Sequence, residues 1–188
     1  MIKHDHYRNP LLEHRILNDE HSWTLDLDRQ NLTDRDMKIV VKCALMRNHC
    51  KRIRLRENQI TWQGSAILAK GVSHNTRLES LDLRANQISN IGVQYLSSAI
   101  VYSHVITLNL ESNEINAEGA QYLAQMIRDS QTLAELYLSK NHLGDRGVEL
   151  IANVLSNTMV STQEPSNKDV SQQEFRLLVV EKKRENRL

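Results

Sequence analysis

One short motif recurs five times along the 188-residue chain and constrains its fold more than any other feature of the sequence. The motif is a pair of apolar residues separated by one other residue, and successive copies start 27 or 28 residues apart. Its starting residues are Leu25, Ile53, Leu81, Leu108 and Leu136. A fixed period of this length is typical of repeat architectures, in which each unit packs against its neighbours. The repeat therefore predicts a solenoid of about five similar units.

Each unit has the pattern of a strand, a turn and a helix. The apolar pair flanks an outward-facing residue, as in a short strand, and later apolar residues recur every four positions, as on one face of a helix. Eight residues after each start stands a residue type that caps helices: Thr33, Thr61, Ser89, Asn116 or Gly144. In four units a glycine follows in the first helical turn, where we expect the helix to pass closest to the next unit: Gly64, Gly92, Gly119 and Gly147.

The four later units share an asparagine five residues after the start of the motif: Asn58, Asn86, Asn113 and Asn141. At this point the backbone leaves the strand and its polar groups lose their ladder partners. An amide side chain both donates and accepts, so it can satisfy such groups in two neighbouring turns. We therefore interpret this column as a structural asparagine ladder rather than as a set of catalytic residues.

The segment from Leu78 to Leu96 carries the full pattern L-x-x-L-x-L-x-x-N-x-I-x-x-x-G-x-x-x-L, which resembles the leucine-rich repeats of the ribonuclease-inhibitor type. The resemblance implies an α/β fold, a right-handed solenoid or horseshoe of about five repeats with a concave parallel β-sheet and convex helices. It also implies a protein-binding module. The first copy departs from the pattern, with Gln30 in place of asparagine and Asp36 in place of glycine, as expected for a terminal repeat.

Three regions follow from the extent of the repeat. Residues 1–21 are predicted to form an N-terminal helical cap, because Leu12, Ile16 and Leu17 have helical spacing. Residues 22–157 form the predicted leucine-rich repeat domain. Residues 158–188 are predicted to be a polar linker and a C-terminal helix, and the apolar residues near Phe175 leave three interpretations open: a second cap, disorder or a docking helix for a partner.

The residues that alternate with the buried strand positions are predicted to form the concave surface, because successive strand side chains face opposite ways. We expect a partner protein to bind there. The candidate residues are Asp26, Arg52, Arg54, Arg56, Asp82, Arg84, Asn109, Glu111, Glu135 and Tyr137.

Two interpretations of the concave charges are open. In the first, opposite charges on neighbouring strands pair with each other and contribute little as exposed ion pairs. The expected lateral pairs are Asp26–Arg54–Asp82, Asp28–Arg56, Arg84–Glu111 and Arg29–Glu57. In the second, Arg52, Arg54, Arg56 and Arg84 form a basic stripe that accepts carboxylates of a partner.

No pattern in the sequence predicts an enzyme, a cofactor or a metal site. It has no Ser-His-Asp arrangement, Gly-rich phosphate loop or HExxH motif. Cys43 and Cys50 fall in core-facing columns and are expected to be buried thiols. His4 and His6 flank Asp5 in a polar N-terminus and would bind a metal only weakly.

Charge and composition bear on the partner and the compartment. The chain has 24 Lys and Arg against 23 Asp and Glu, a net charge of +1, which favours neither a nucleic acid nor a membrane surface as partner. It has two cysteines, no apolar stretch at its N-terminus and no run long enough to span a bilayer. We therefore expect an intracellular, cytoplasmic protein.

The sequence as a whole predicts a non-enzymatic protein-interaction module or scaffold. An alternative, taken from the resemblance, is a regulator similar to the GTPase-activating proteins of this repeat class that act on the nuclear-transport GTPase, although no arginine aligns with the one that they use. A third possibility is a short, fragment-like paralogue of a larger receptor. The sequence leaves the identity of the partner and the oligomeric state open.

Overall fold

The computed structural model describes residues 7–18, 22–46, 50–73, 75–156 and 176–178. In this part of the chain the helices are α1 Pro10–Asn18, α2 Met37–Val40, α3 Trp62–Ser73, α4 Ser89–Ile100, α5 Ala117–Asp129 and α6 Gly144–Ser156. The strands are β1 Thr24–Asp26, β2 Arg52–Arg54, β3 Ser80–Asp82, β4 Thr107–Asn109, β5 Glu135–Tyr137 and β6 Arg176–Leu178.

One sheet orders the strands as they occur in the chain, with β1 to β5 parallel. The first apolar residues of the motif pair directly in adjacent strands, as with Leu25 and Ile53 or Leu81 and Leu108. One repeat of the sequence therefore corresponds to one step across the sheet. The predicted α/β solenoid with a parallel sheet is confirmed.

The core lies between this sheet and the layer of helices. Both apolar residues of the motif are buried in every unit; Leu55, Leu83 and Leu110, for example, are fully inaccessible. The helices contribute residues such as Leu68 and Leu123, which are also fully buried. Since apolar burial stabilises by about 25 cal/mol per Å², this continuous interior is what holds the short three-residue strands in place.

Helix starts agree with the predicted caps in the four later units. The Asn116 side chain accepts a hydrogen bond from the Glu118 backbone N–H at 2.8 Å, and α3, α4 and α6 begin at the predicted cap or one residue later. The first unit differs, because α2 begins only at Met37 and continues as a π-helical turn, Val41–Leu45. Thr33 forms an isolated bridge with Gln59, as Thr61 and Asn116 do with the units that follow them, but here the helix begins four residues later.

The helical glycines face the preceding unit, so the expectation that they face the next unit is wrong. The Gly64 backbone N–H donates to the Asp34 carboxylate at 2.8 Å, and Thr61 donates to the same carboxylate. At Gly119, an added Cβ would lie 2.6 Å from the Asn90 side-chain oxygen. A side chain of one unit thus caps the helix of the following unit, and glycine leaves room for it.

Helix α1 packs against α2 and the π-helical turn of the first unit, and its Arg15 reaches the free edge of β1. Its Leu12 and Ile16 are buried against the core. Arg15 donates to the outward carbonyl of Asp26 at 3.0 Å, and the Ser22 hydroxyl donates to the carbonyl of Thr24 at 2.7 Å. These two donors occupy carbonyls that another strand could otherwise pair with. The full extent of the predicted cap, residues 1–21, stays a prediction, because 1–6 and 19–21 lie outside the described residues.

The predicted C-terminal helix is wrong for residues 176–178, which form β6. This strand pairs antiparallel with β5, placing Leu177 opposite Leu136. The outer edge of β5 carries backbone groups without a parallel neighbour, and an extended segment satisfies them whereas a helix would not. The remainder of 158–188, including Phe175 and Val179, lies outside the described residues.

A buried carboxylate, Asp36, fastens the N-terminal segment to the first unit. It accepts hydrogen bonds from the Tyr7 hydroxyl and the Asn9 amide, both at 2.8 Å, and from the backbone N–H and hydroxyl of Thr33 at 2.9 and 3.0 Å. Burial raises the pKa of Asp36, but the four hydrogen bonds, that of the Thr33 N–H foremost, outweigh it and lower the pKa. The position where the other units have glycine therefore carries an anion with a structural role.

This network makes the stability of the protein depend on pH. A carboxylate whose pKa is lower in the folded state stabilises the fold above its unfolded pKa of about 3.9, and this contribution disappears as the pH falls through the folded value. We expect Asp36→Asn to lower the free energy of unfolding by about 2 kcal/mol at pH 7, with a smaller difference from wild type below pH 4. Urea unfolding at pH 7 and 3.5 measures both.

The matched control for this prediction is the exposed Asp145 at the start of α6. Asp145→Asn should cost less than about 0.5 kcal/mol. A difference between Asp36→Asn and wild type that stays constant from pH 7 to 3.5 would contradict the role assigned to the Asp36 charge.

Candidate functional site

The candidate concave residues lie on β1 to β5 or within two residues of the ends of these strands. Asp82 is 7% exposed, whereas Arg52 is exposed and the remaining eight are partly buried. The predicted set is Asp26, Arg52, Arg54, Arg56, Asp82, Arg84, Asn109, Glu111, Glu135 and Tyr137.

An open pocket of about 500 Å³ lies over β3, β4 and β5. Six of the predicted residues line it together with four that we did not predict. The unpredicted lining residues are Ser80, Thr107, Ser139 and Lys140. In the aligned repeats, Ser80 and Thr107 stand at the same position as Arg52, and Ser139 stands at the same position as Arg84. The alignment therefore predicts that these three residues also lie on the concave face.

The ion pairs on the first half of the sheet run diagonally as well as laterally. Arg54 contacts Asp26 at 3.1 Å, as expected, but it also contacts Asp28 at 2.5 Å. Arg56 pairs with Asp82 at 2.6 Å, so the expected side-chain pairs Arg54–Asp82 and Arg56–Asp28 are replaced.

The cause is local backbone bonding. The carboxylate of Asp28 accepts the backbone N–H of Arg56 at 2.8 Å, and that of Asp82 accepts the backbone N–H of Arg84 at 3.1 Å. The Asp82 carboxylate is thereby held toward Arg84, two positions further along, where Arg56 reaches it. The Asp28 carboxylate is held beside the backbone of Arg56, and the Arg54 side chain reaches it from two positions back.

Two further observations support pairing within this half. Arg29 forms a bidentate pair with Glu57, with N–O distances of 2.8 and 2.7 Å, as predicted. The hydrogen bond from Arg29 lowers the pKa of Glu57, and the hydrogen bond to Asp82 raises the pKa of Arg56. The charges on and just after β1 and β2 are therefore largely paired, either with one another or, for Arg56, with Asp82 on β3.

The second half of the sheet is bonded differently. Arg84 lies 3.7 Å from the Glu111 carboxylate, which is outside hydrogen-bond distance. Glu135 accepts from the Thr107 and Tyr137 hydroxyls at 3.1 and 3.2 Å. Lys140 is exposed and takes part in no ion pair with another described residue. Cationic groups on this half thus keep free donors.

The asparagine column lies behind the concave surface, at the turns after the strands. The Asn58 side-chain oxygen accepts from the backbone N–H of Gln30 and Leu32, at 3.1 and 3.0 Å. Its amide donates to the carbonyls of Leu27 and Leu55, at 3.0 and 2.9 Å. The other three asparagines also bridge two units through such contacts: Asn86, Asn113 and Asn141.

A lateral row on the amino-terminal side of the strands was not foreseen. Lys51 pairs with Glu79 at 2.6 Å and lies over the Trp23 ring, 5.3 Å from its centroid. All three residues stand two positions before the motif in consecutive units. Their common position in the repeat is what could have identified them from the sequence. These residues form a second zone of contact between units.

Cys50 is buried and Cys43 is partly buried, and neither forms a disulfide. In the described part of the chain, no group of three or more His, Cys, Asp or Glu residues is placed to hold a metal ion. None of the helices described here has the length and apolar character needed to cross a bilayer.

The repeat, the parallel sheet and the outer helices together define a leucine-rich repeat protein. A family profile described as "Leucine Rich repeat" matches residues 74–97, 103–124 and 129–152, which belong to the three later units.

Two human proteins are similar in sequence. NACHT, LRR and PYD domains-containing protein 14 is 31% identical over 139 residues, covering 72% of this chain and 13% of the relative. NACHT, LRR and PYD domains-containing protein 13 is 27% identical over 161 residues, covering 84% of this chain and 15% of the relative. The chain therefore spans only about one seventh of the length of these relatives.

Two solved structures have the same fold. Actin-binding site 2 of leiomodin-1 superposes with a TM-score of 0.65 at 18% identity, covering 79% of this chain and 87% of that one. The tropomodulin C-terminal domain of Caenorhabditis elegans superposes with a TM-score of 0.64 at 10% identity, covering 78% and 90%. At these identities the likeness shows the fold alone.

Proposed function

We propose that this chain is a non-enzymatic module or scaffold that binds a partner protein on the concave face of its sheet. The observation that carries the proposal is the polar pocket over β3, β4 and β5, where a rigid solenoid holds charged and hydroxyl side chains toward solvent. Protein interfaces favour such a preorganised surface, because little conformational entropy is lost when it is covered. Tyr137 is its aromatic residue, and tyrosine is enriched among residues that dominate binding energy.

The comparisons support this proposal in a general way. The fold occurs in a leiomodin-1 domain described as an actin-binding site, so a solenoid of this size has a precedent for a protein partner. The ribonuclease-inhibitor type of repeat fits the helices of 12 or 13 residues in the four later units. The two cysteines, neither of which is in a disulfide, fit an intracellular, cytoplasmic protein.

The GTPase-activating alternative is the weaker candidate. It requires an arginine free to reach the nucleotide of a bound GTPase. No arginine of this chain aligns with the one that those activators use, and Arg29, on the turn after β1, is held by two hydrogen bonds to Glu57. A GTP-hydrolysis assay with candidate small GTPases separates the two functions, since a binding module leaves the hydrolysis rate unchanged.

Site-specific photo-crosslinking tests the proposed surface. We expect a benzophenone amino acid in place of Ser80, which lines the concave pocket, to capture partner proteins from cells. The same amino acid in place of the exposed Gln94, on the convex helix α4, is the matched control and should capture none of them. Equal capture from both positions, or capture from Gln94 alone, would remove the concave face from consideration.

A further inference from the structure

The hydrogen-bond donors and acceptors of the concave pocket are unequally used. We propose that the pocket over β3, β4 and β5 recognises an acidic peptide segment of the partner, with carboxylates bound by Arg84, Asn109 and Lys140. This inference rests on the proposed function and specifies the chemistry of the partner.

Most carboxylates of the face are already engaged, and the exception in the pocket is Glu111, which lies 3.7 Å from Arg84. Asp26 and Asp28 bind Arg54, and Asp82 binds Arg56 at 2.6 Å. Glu135 accepts two hydroxyl hydrogen bonds. A basic ligand would therefore have to displace existing partners, at the full cost of separating buried or half-buried charges.

The cationic side chains of the pocket, in contrast, are available to a ligand. The guanidinium of Arg84 makes no hydrogen bond with any described residue, and its nearest carboxylate oxygen, on Glu111, is 3.7 Å away. Lys140 likewise has no ion-pair partner in the described part of the chain. Both line the same pocket, so their donors face a common space.

Asn109 supplies a further donor between the two cations. Its side-chain oxygen accepts the backbone N–H of Glu111 at 2.9 Å. Because that backbone group can only donate, the side-chain oxygen is used by it, which leaves the amide nitrogen of this pocket-lining residue as the donor for a ligand. A carboxylate bound here would receive a neutral donor as well as charged ones.

The spacing of these donors suits an extended peptide. Arg84 follows β3, Asn109 ends β4 and Lys140 follows β5, and parallel strands lie about 4.8 Å apart. The outer two residues are therefore about 10 Å apart along the sheet. Carboxylates on alternate residues of an extended segment are about 7 Å apart, so two of them fit between the flexible arginine and lysine side chains.

Fluorescence anisotropy with a fluorescein-labelled octaglutamate peptide and the full chain tests the inference. We expect saturable binding by the wild type and at least a tenfold rise in Kd for the double variant Arg84→Gln with Lys140→Gln. Charged hydrogen bonds are the strongest available to a carboxylate. The charge-conserving pair Arg84→Lys with Lys140→Arg should remain within threefold of wild type.

The control removes the same charge elsewhere. Arg77 and Arg146 are exposed and lie outside the sheet, so Arg77→Gln with Arg146→Gln should change Kd less than twofold. Thermal melting should be unchanged for both glutamine pairs, since the replaced side chains are solvent-exposed or form no hydrogen bond. No saturable binding by the wild type, or binding by the Arg84/Lys140 glutamine variant within twofold of wild type, would overturn the inference.

The outcome is separable from that of the proposed function. If octaglutamate fails to bind while the Ser80 crosslinker still captures partners, the concave surface stands and only the acidic specificity is wrong. If Ser80 captures nothing, the proposed function itself fails, whatever the peptide does.

Discussion

Replacing Asn58 with alanine is expected to lower the free energy of unfolding by about 3–5 kcal/mol. Asn58 is 7% exposed, and its side chain makes five hydrogen bonds to backbone groups of two units. Alanine would leave the buried Leu32 N–H and the Leu27 carbonyl without these partners. Each buried unsatisfied group costs about 1–3 kcal/mol. Urea unfolding followed by circular dichroism measures the loss.

Gln30 provides the matched control, because it occupies the same column in the first unit but is exposed. Among the residues that the structure describes, its side chain bonds only to Arg15 and the Asp28 carbonyl, both at the surface. Gln30→Ala should therefore cost less than about 1 kcal/mol. Similar losses for the two variants would show that the buried amide column does not join the units as its contacts indicate.

Replacing Gly119 with alanine is expected to destabilise the fold by about 2 kcal/mol, although alanine favours helices over glycine by about 1 kcal/mol. An added Cβ would lie 2.5 Å from an Ile115 methyl carbon and 2.6 Å from the Asn90 side-chain oxygen. Asn90 accepts the Asn116 backbone N–H at 3.0 Å, so its displacement also loosens the start of α5. Thermal unfolding reports the change.

Gln121 lies on the same helix and is exposed, which makes it the control for helix propensity. Gln121→Ala should be neutral or slightly stabilising. A Gly119→Ala variant that is as stable as wild type would mean that the preceding unit does not approach α5 as closely as the structure places it.

Much of the fold could be predicted because the repeat itself encodes it. Aligning Leu25, Ile53 and Leu81 by their period gives the strand register directly, since equivalent residues pair across a sheet of identical units. The buried faces of the helices follow from the spacing of the apolar residues. Neither inference required knowledge of contacts between distant parts of the chain.

The features that sequence could not predict depend on side-chain reach or on a unique partner. The Arg56–Asp82 pair arises because backbone groups turn the carboxylate along the strand, which a column alignment does not represent. The hydrogen bonds of Asp36 could not be predicted from the repeat, because its partners Tyr7 and Asn9 lie outside it. The pairing of β6 with β5 could not be predicted because β6 is not part of the repeat. The structure shows that this segment pairs with the edge of β5.

For the candidate site, the alignment of the repeats predicted which residues lie side by side on the concave face, but not which of their charges are paired. It placed Arg54 between Asp26 and Asp82, and Arg84 between Arg56 and Glu111. In the structure Arg54 holds two carboxylates, whereas the Arg84 guanidinium has no carboxylate of a described residue within hydrogen-bond distance. The difference comes from the order of acidic and basic residues over three consecutive strands, and it concentrates the open donors at one end of the sheet.

The two kinds of bridge between units run in opposite directions along the chain. On the helical side, Asp34 and Asn90 serve the unit that follows them. On the sheet side, Asn58 and Asn141 serve the unit that comes before. An interior unit is consequently hydrogen-bonded to both of its neighbours. Removing it would leave polar groups of each neighbour without their hydrogen-bond partners. Such mutual dependence couples the modules into a single cooperative body, although each touches only those adjacent to it.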